Sequence, residues 1–261
     1  MAADWDPQAY LRFADERSRP FVDLLARVDV DPRQITDLGC GPGQLTPLLR
    51  SRWPAASVEG IDASSEMVQR AVADNTDPLV TYRQGDLRAW RAGPICDLVV
   101  SNAALQWVPG HLDLLPGLAD ELGTGGCLAF SVPGNFAAPS HALLRELAGA
   151  EPYAAHTAGL ERPAAHDPAT YLDALARPGW RVDAWESTYL HLLTGPDPVL
   201  RWVAGTGARP VLDALGEVDP ALRARFEADY AAALRAAYPP RAYGTVLPFR
   251  RVFCVAQTEF A

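Results

Sequence analysis

Apolar residues in the first half of the chain recur in short segments of strand length. Residues 35–39, 57–62, 80–84, 95–102 and 127–132 read as strands, and 95–102 is mostly apolar, the form a strand takes when both of its faces are covered. Between them lie segments with helical spacing: 44–52, 64–72 with a serine able to cap it, and 111–122, closed by Gly123. Strand and helix in alternation predict a parallel sheet with helices on both faces. Upstream, Asp6-Pro7 places a capping residue before a proline and predicts a helix to about Arg17, and Pro20 predicts the start of a second.

The second half is less regular. Residues 139–149 read as a helix, 151–166 as a long loop, Asp167-Pro168 as the start of another helix, and 181–192 as a strand. Two amphipathic helices, 197–206 and 219–237, precede a final strand at 246–257. The helical material between about 195 and 240 has no place in the sheet and is expected to cover the binding cleft. The expected organisation is one domain over 1–261, with lid helices in 1–30 and a helical cap at about 195–245 as elaborations.

Length and charge narrow the function. A chain of 261 residues buries enough surface to need no disulfide or metal staple. With 32 acidic against 23 basic residues the net charge is −9, which disfavours a nucleic-acid partner. All 23 basic residues are arginine, so Schiff-base chemistry and a P-loop lysine are excluded. Any pocket for a small anion must use guanidinium groups, which suit carboxylates. The four cysteines form no CxxC pair and the five histidines show no metal spacing, so neither a zinc site nor a disulfide framework is expected. The histidines read as structural or exposed. Without a signal-peptide pattern or an 18-residue apolar run, the expected setting is the cytoplasm. Nothing in the sequence demands more than a monomer.

The strongest chemical signal is Thr36-Asp37-Leu38-Gly39-Cys40-Gly41-Pro42-Gly43, after the first strand and before a helix. Glycines there allow a tight turn and a close ligand approach. The spacing is GxGxG with an acid before it; Gln44 stands where the nicotinamide fingerprint would continue, which argues against a dehydrogenase. Asp62, 23 positions after Gly39 and followed by Ala63, ends the second strand where an acid can accept two ribose hydroxyls. Asp86 ends the third strand, placed for an adenine amino group, with Leu87 against the ring. Ser101-Asn102 ends the fourth at the rim of the same crevice.

With these motifs the first 135 residues or so resemble the class I S-adenosylmethionine-dependent methyltransferases. The resemblance implies a Rossmann-like α/β fold, a seven-stranded mostly parallel sheet whose last strand runs antiparallel. It implies S-adenosylmethionine as cofactor, with Gly39 and Gly41 beside its methionine portion, Asp62 at the ribose and Asp86 at the adenine. Further segments resemble one branch of that family along nearly the whole chain. They are Asp4-Trp5-Asp6-Pro7 with Tyr10 and Glu16-Arg17-Ser18-Arg19-Pro20, Gln106-Trp107-Val108-Pro109, Trp202 to Pro210, and Phe249-Arg250-Arg251. That branch implies methyl esterification of one carboxylate of trans-aconitate or a close tricarboxylate relative. A carboxylate is ionised at neutral pH, so no catalytic base is expected. Arg17 and Arg209 are the first candidates to hold the substrate, with Trp107, Trp202, Tyr10 and Tyr243 as further contacts. Another small carboxylate or a phenol is the alternative substrate, and a non-catalytic cofactor-binding module the alternative function.

Overall fold

The computed structural model describes residues 14–93, 96–160 and 163–258, with side chains from residue 18 onward. Seven strands form one sheet in the order β3-β2-β1-β4-β5-β7-β6. Here β1 is Gln34–Leu38, β2 Ser57–Asp62, β3 Val80–Gln84, β4 Leu98–Asn102, β5 Cys127–Pro133, β6 Trp180–Leu193 and β7 Thr245–Thr258. The pairings among β1 to β5 are parallel. β7 runs antiparallel to β5, from Cys127 opposite Gln257 to Pro133 opposite Arg251. The mostly parallel seven-stranded sheet expected from sequence is the one found.

Burial explains the apolar segments. Ile35, Leu38, Val99, Leu128, Phe130 and Val132 are all buried. Leu115, Leu118 and Tyr171 join the same cluster from helices α4 (His111–Asp120) and α7 (Pro168–Leu175). The other helices of the first part are α1 (Ala14–Leu25), α2 (Thr46–Arg52) and α3 (Ser65–Asp74). The Ser64 hydroxyl accepts the Met67 N–H at the start of α3, which is the cap read from sequence. β1 is flanked by β2 on one side and β4 on the other. Their carboxyl ends therefore open the crevice in which ligands of such sheets bind.

Contacts divide the chain into two compact units. The first is Met1–Pro133, Ala165–Ser187 and Arg251–Ala261; the second is Gly134–Ala164 and Thr188–Arg250. The second unit holds α5 (Pro139–Ala148), α6 (Ala154–Thr157), α8 (Pro198–Ala204), α9 (Arg209–Val218) and α10 (Pro220–Ala237). Phe226, Tyr230 and Leu234 of α10 are its buried face, with Tyr153 set edge-on to Phe226 at 4.9 Å.

Three local expectations are corrected. Pro20 does not begin a helix; α1 runs through it, because burial of Phe21, Leu24 and Leu25 outweighs the loss of one backbone hydrogen bond. The loop expected at 151–166 contains the single turn α6, anchored where the Thr157 hydroxyl donates to the Ala148 and Tyr153 carbonyls at 2.6 and 3.2 Å. Helix α9 was not expected; Gly205, Gly207 and Gly216 around and inside it hide an apolar stripe that buries Leu212 and Leu215. Among the described residues no helix is long and apolar enough to cross a membrane, and no cluster of potential metal ligands occurs.

Candidate active site

The site begins where β1 ends. Gly39 has φ +79°, and a Cβ there would lie 2.1 Å from Cβ of Ala104. The N–H groups of Gly39 and Cys40 both donate to the Ile61 carbonyl, at 2.7 and 3.1 Å, so the loop is tied to β2. Gly43, at φ +77°, lies against Tyr82, whose hydroxyl would be 2.5 Å from an added Cβ. That hydroxyl donates to Thr46 Oγ1 at 2.9 Å. Gly41, between them, is different: an added Cβ meets nothing nearer than Gln44 Oε1 at 3.8 Å. The loop is packed at both shoulders and open at its tip, which suits a ligand that lies against backbone.

Asp62 is held by this loop. Its Oδ2 accepts the Gly41 N–H and its Oδ1 the Ser64 N–H, both at 2.9 Å. Each oxygen keeps a further lone pair for a hydroxyl donor. Burial raises the Asp62 pKa, and these backbone N–H groups oppose the rise. Asp37 lies deeper, 3% exposed; burial first, then the charge of Asp62, pushes its pKa up to about 7. The Cys40 thiol is pushed up by burial and by both acids, which leaves it without nucleophilic character.

Beyond β3, the exposed Asp86 accepts the Arg88 N–H at 2.9 Å and caps the short turn Leu87–Ala89. It also pairs with the Arg88 guanidinium at 2.5 to 3.0 Å, whose hydrogen bonds hold its pKa below the usual carboxylate value. Leu87 is half-buried and Ala63 exposed; the Ala63 carbonyl accepts from Gln84 Nε2 at 3.0 Å.

At the end of β4 the Ser101 hydroxyl donates to the Leu38 carbonyl at 2.8 Å. Asn102 is buried, and its Oδ1 accepts from Ser131 Oγ at 2.5 Å. The next residue, Ala103, has φ +57°, a strained conformation for alanine. It persists because its N–H donates to the Ser131 carbonyl at 2.8 Å and its carbonyl accepts from Gln106 Nε2 at 2.5 Å. This kink puts Ala104 against Gly39. Trp107 ends the short turn Leu105–Trp107 and is half-buried.

The structure therefore brings Gly39, Gly41, Asp62, Ala63, Asp86, Leu87, Asn102 and Trp107 to the carboxyl ends of four strands of the first unit. Sequence reading missed Tyr82, Ser131 and Gln106, which shape this end of the sheet. Gln106 was visible as the one polar residue in Ala103-Ala-Leu-Gln-Trp107, and its Oε1 is buried without a protein partner.

The remaining candidates lie on separate elements of the second unit or outside the described residues. Trp202, in α8, is 2% exposed, with its ring 4.5 Å from His191 and 5.6 Å from Phe249. Arg209 begins α9, and its Nε donates to Asp213 Oδ2 at 3.2 Å. Tyr243 is 57% exposed, and its hydroxyl accepts from Arg241 Nη1 at 2.7 Å. Tyr10 and the side chain of Arg17 lie outside the described residues.

Comparison with known proteins points to one family and to the same fold. Residues 35–126 match the profile of the family described as methyltransferase domain. The trans-aconitate 2-methyltransferase of Streptomyces avermitilis is 52% identical, over 98% of this chain and 97% of its own length. That of Mycobacterium tuberculosis is 46% identical, over 97% and 96%. Among solved structures, the methyltransferase in the Haloferax volcanii complex with its Trm112 activator superposes with a TM-score of 0.56 at 18% identity, covering 95% of this chain and 92% of its own. At that identity the likeness speaks for the fold.

Proposed function

The chain belongs to the trans-aconitate 2-methyltransferase family, and on that premise we propose that it esterifies one carboxylate of trans-aconitate with the methyl group of S-adenosylmethionine. The observation that carries the proposal is similarity to a named trans-aconitate 2-methyltransferase along almost the whole of both chains, 98% of this one and 97% of the other. When bound, the cofactor supplies a methyl group activated by a sulfonium. Held at Gly41, Asp62 and Asp86, it would supply that methyl group to a carboxylate oxygen of the substrate and be left as a neutral thioether.

The roles of the chain's own residues follow from this chemistry. The tip at Gly41 leaves room for the cofactor's amino-acid portion beside the backbone, with Gly39 shaping the turn. Asp62, with a free lone pair on each oxygen, would take the ribose hydroxyls. Asp86, Leu87 and Ala63 would border the adenine, and Asn102 the rim at β4. A carboxylate with a pKa of about 4 is already ionised at pH 7, so no residue needs to remove a proton. Catalysis then rests on holding oxygen, carbon and sulfur in line, an effect worth roughly 7–11 kcal/mol at best.

For the substrate, a trianion, we assign Arg17 and Arg209 as carboxylate partners, with Trp107, Trp202, Tyr10 and Tyr243 as further contacts. Residues 1–30 would serve as a lid and about 195–245 as a cap. A cytoplasmic monomer that binds neither nucleic acid nor membrane completes the proposal, supported by the acidic composition and ordinary hydrophobic content of the chain.

The test is methyl transfer from labelled S-adenosylmethionine to a panel of di- and tricarboxylates, with phenolic acids alongside. Base-labile label on trans-aconitate is expected, and Arg209→Ala is expected to raise KM for trans-aconitate at least tenfold, the loss of a charged hydrogen bond. Label confined to a phenol, or no transfer at all, would overturn the proposal.

A further inference from the structure

We infer that His141 is a substrate-positioning residue whose Nε2–H, which lies beside Gly207, donates a hydrogen bond to a carboxylate oxygen of the substrate. The inference rests on the proposed function and extends it to a side chain that the sequence reading set aside as structural.

The argument starts from the proton on the ring. His141 lies in the first turn of α5, next to Ser140, which is 1% exposed. The Ser140 hydroxyl is 3.2 Å from His141 Nδ1, its sole side-chain hydrogen-bond partner among the described residues. A buried hydroxyl needs an acceptor, and here the acceptor is Nδ1. The Asn135 amide nitrogen, 3.4 Å from the same atom, is a second donor aimed at it. With Nδ1 accepting, the proton of the neutral ring sits on Nε2.

The ring is fixed as well as oriented. Phe136 meets it edge-on at 5.3 Å. The Tyr238 hydroxyl accepts the Ser140 N–H at 3.1 Å, and the Tyr230 hydroxyl donates to the Ser140 carbonyl at 2.7 Å. These bonds clamp the start of α5 to α10. Burial, reinforced by the charge of Arg145, lowers the His141 pKa to about 4. The ring therefore stays neutral across the working range and donates a hydrogen bond without giving up its proton. That is the property a carboxylate nucleophile requires, since protonation would remove its reactivity.

Gly207 meets the donor. A Cβ on it would lie 2.8 Å from His141 Nε2, so any side chain there would run into the ring edge. Its backbone is not in the left-handed region, and the turn itself makes no demand for glycine. Nε2 has no hydrogen-bond partner among the described residues, and Gly207 stands two residues before Arg209. A neutral donor beside a segment that carries a guanidinium is a combination that suits a polycarboxylate.

The experiment is steady-state kinetics with trans-aconitate varied at saturating S-adenosylmethionine, for the wild type, His141→Phe, His141→Gln and Gly207→Ala. Phenylalanine keeps the ring packing and removes the donor, and is expected to raise KM for trans-aconitate about 10- to 100-fold. KM for S-adenosylmethionine should stay at the wild-type value, while the melting temperature falls only by the few degrees that an unpaired Ser140 hydroxyl costs. Glutamine, which restores an N–H near the position of Nε2, is expected to recover KM to within about fivefold. Gly207→Ala should reproduce the phenylalanine effect by covering the donor. A KM within twofold of wild type for His141→Phe would overturn the inference. So would parallel losses of thermal stability and of cofactor KM that glutamine does not rescue, the signature of a structural role. If the wild type methylates trans-aconitate and His141→Phe matches it, only this inference fails; if the wild type methylates no carboxylate, the functional proposal falls with it.

Discussion

Asp37 gives the sharpest quantitative test of how the cofactor end of the sheet is built. Its pKa is pushed from 3.8 to about 7 by burial and by the nearby Asp62. In the unfolded chain it ionises near pH 4; in the folded protein it holds its proton until about pH 7. Folding is therefore favoured by the protonated form, fully so below pH 4, and this contribution is lost as pH rises through 7. The full span is on the order of 4 kcal/mol, of which about 2 kcal/mol falls between pH 5 and pH 7. Asp37→Asn removes the titration and keeps the shape. Stability of the variant relative to wild type should therefore rise by about 2 kcal/mol from pH 5 to pH 7. For a chain of this size that corresponds to roughly 4–8 °C in melting temperature. Urea unfolding of both proteins at pH 5, 6 and 7 measures it, and every other titrating group cancels in the difference. A difference that is flat with pH, or that moves in favour of the wild type as pH rises, would refute the reasoning.

Two further expectations address the same unit. Gly39→Ala places a methyl group 2.1 Å from Ala104 Cβ at φ +79°, so Ala104 must move and the Ala103 kink with it. Binding of S-adenosylhomocysteine, followed by calorimetry, should weaken at least tenfold, and unchanged affinity would contradict the packing described. Tyr171→Phe removes a buried hydroxyl that meets His111 Nε2 at 2.7 Å and accepts the His166 N–H at 3.1 Å. Leaving those groups unpaired should cost about 1–3 kcal/mol in urea unfolding, with kcat and both KM values unaltered.

Much of this architecture is readable in the linear chain, for a physical reason. β4 and β5 are buried on both faces, and complete burial writes itself as an apolar run of strand length. Asp62 and Asp86 are legible because they end segments of strand length, and the end of a parallel strand faces the ligand crevice whatever the helices do. Features that depend on partners distant in sequence are not legible. Helix α9 is held by burial of Leu212 and Leu215 within the second unit, although glycines interrupt its local signal. The continuity of α1 across Pro20 comes from the tertiary burial of Phe21 and Leu24. The raised pKa of Asp37 comes first from its burial and then from Asp62, 25 positions away, and His141 packs against a glycine 66 positions away. In the sequence His141 is one histidine among five; only the fold supplies Ser140, Asn135 and Gly207 as its neighbours.

The choice of a carboxylate nucleophile ties these observations together. A phenol or an amine must lose a proton to react with a sulfonium methyl, and the enzyme must then place a base beside it. A carboxylate arrives ionised, so the protein's task shifts from proton transfer to orientation and anion recognition. The described acids and histidines fit that division. Asp37 is protonated up to about pH 7 and buried, Tyr171 is held near 12 inside the core, and His141 is neutral down to about 4. Neither Tyr171 nor His141 is tuned to cycle a proton at neutral pH, and Asp37, which titrates there, is 3% exposed. Recognition of a trianion by a protein of net charge −9 must then be local, and a chain without lysine makes it a matter of guanidinium geometry. Arg209, the proposed carboxylate partner, has its Nε bonded to Asp213 one helical turn away, which would fix the plane of the guanidinium before substrate arrives. A guanidinium fixed in this way loses less conformational freedom on binding than a mobile one. The same acid that lowers the local charge thus sharpens direction, and direction is what an in-line methyl transfer to a carboxylate oxygen demands.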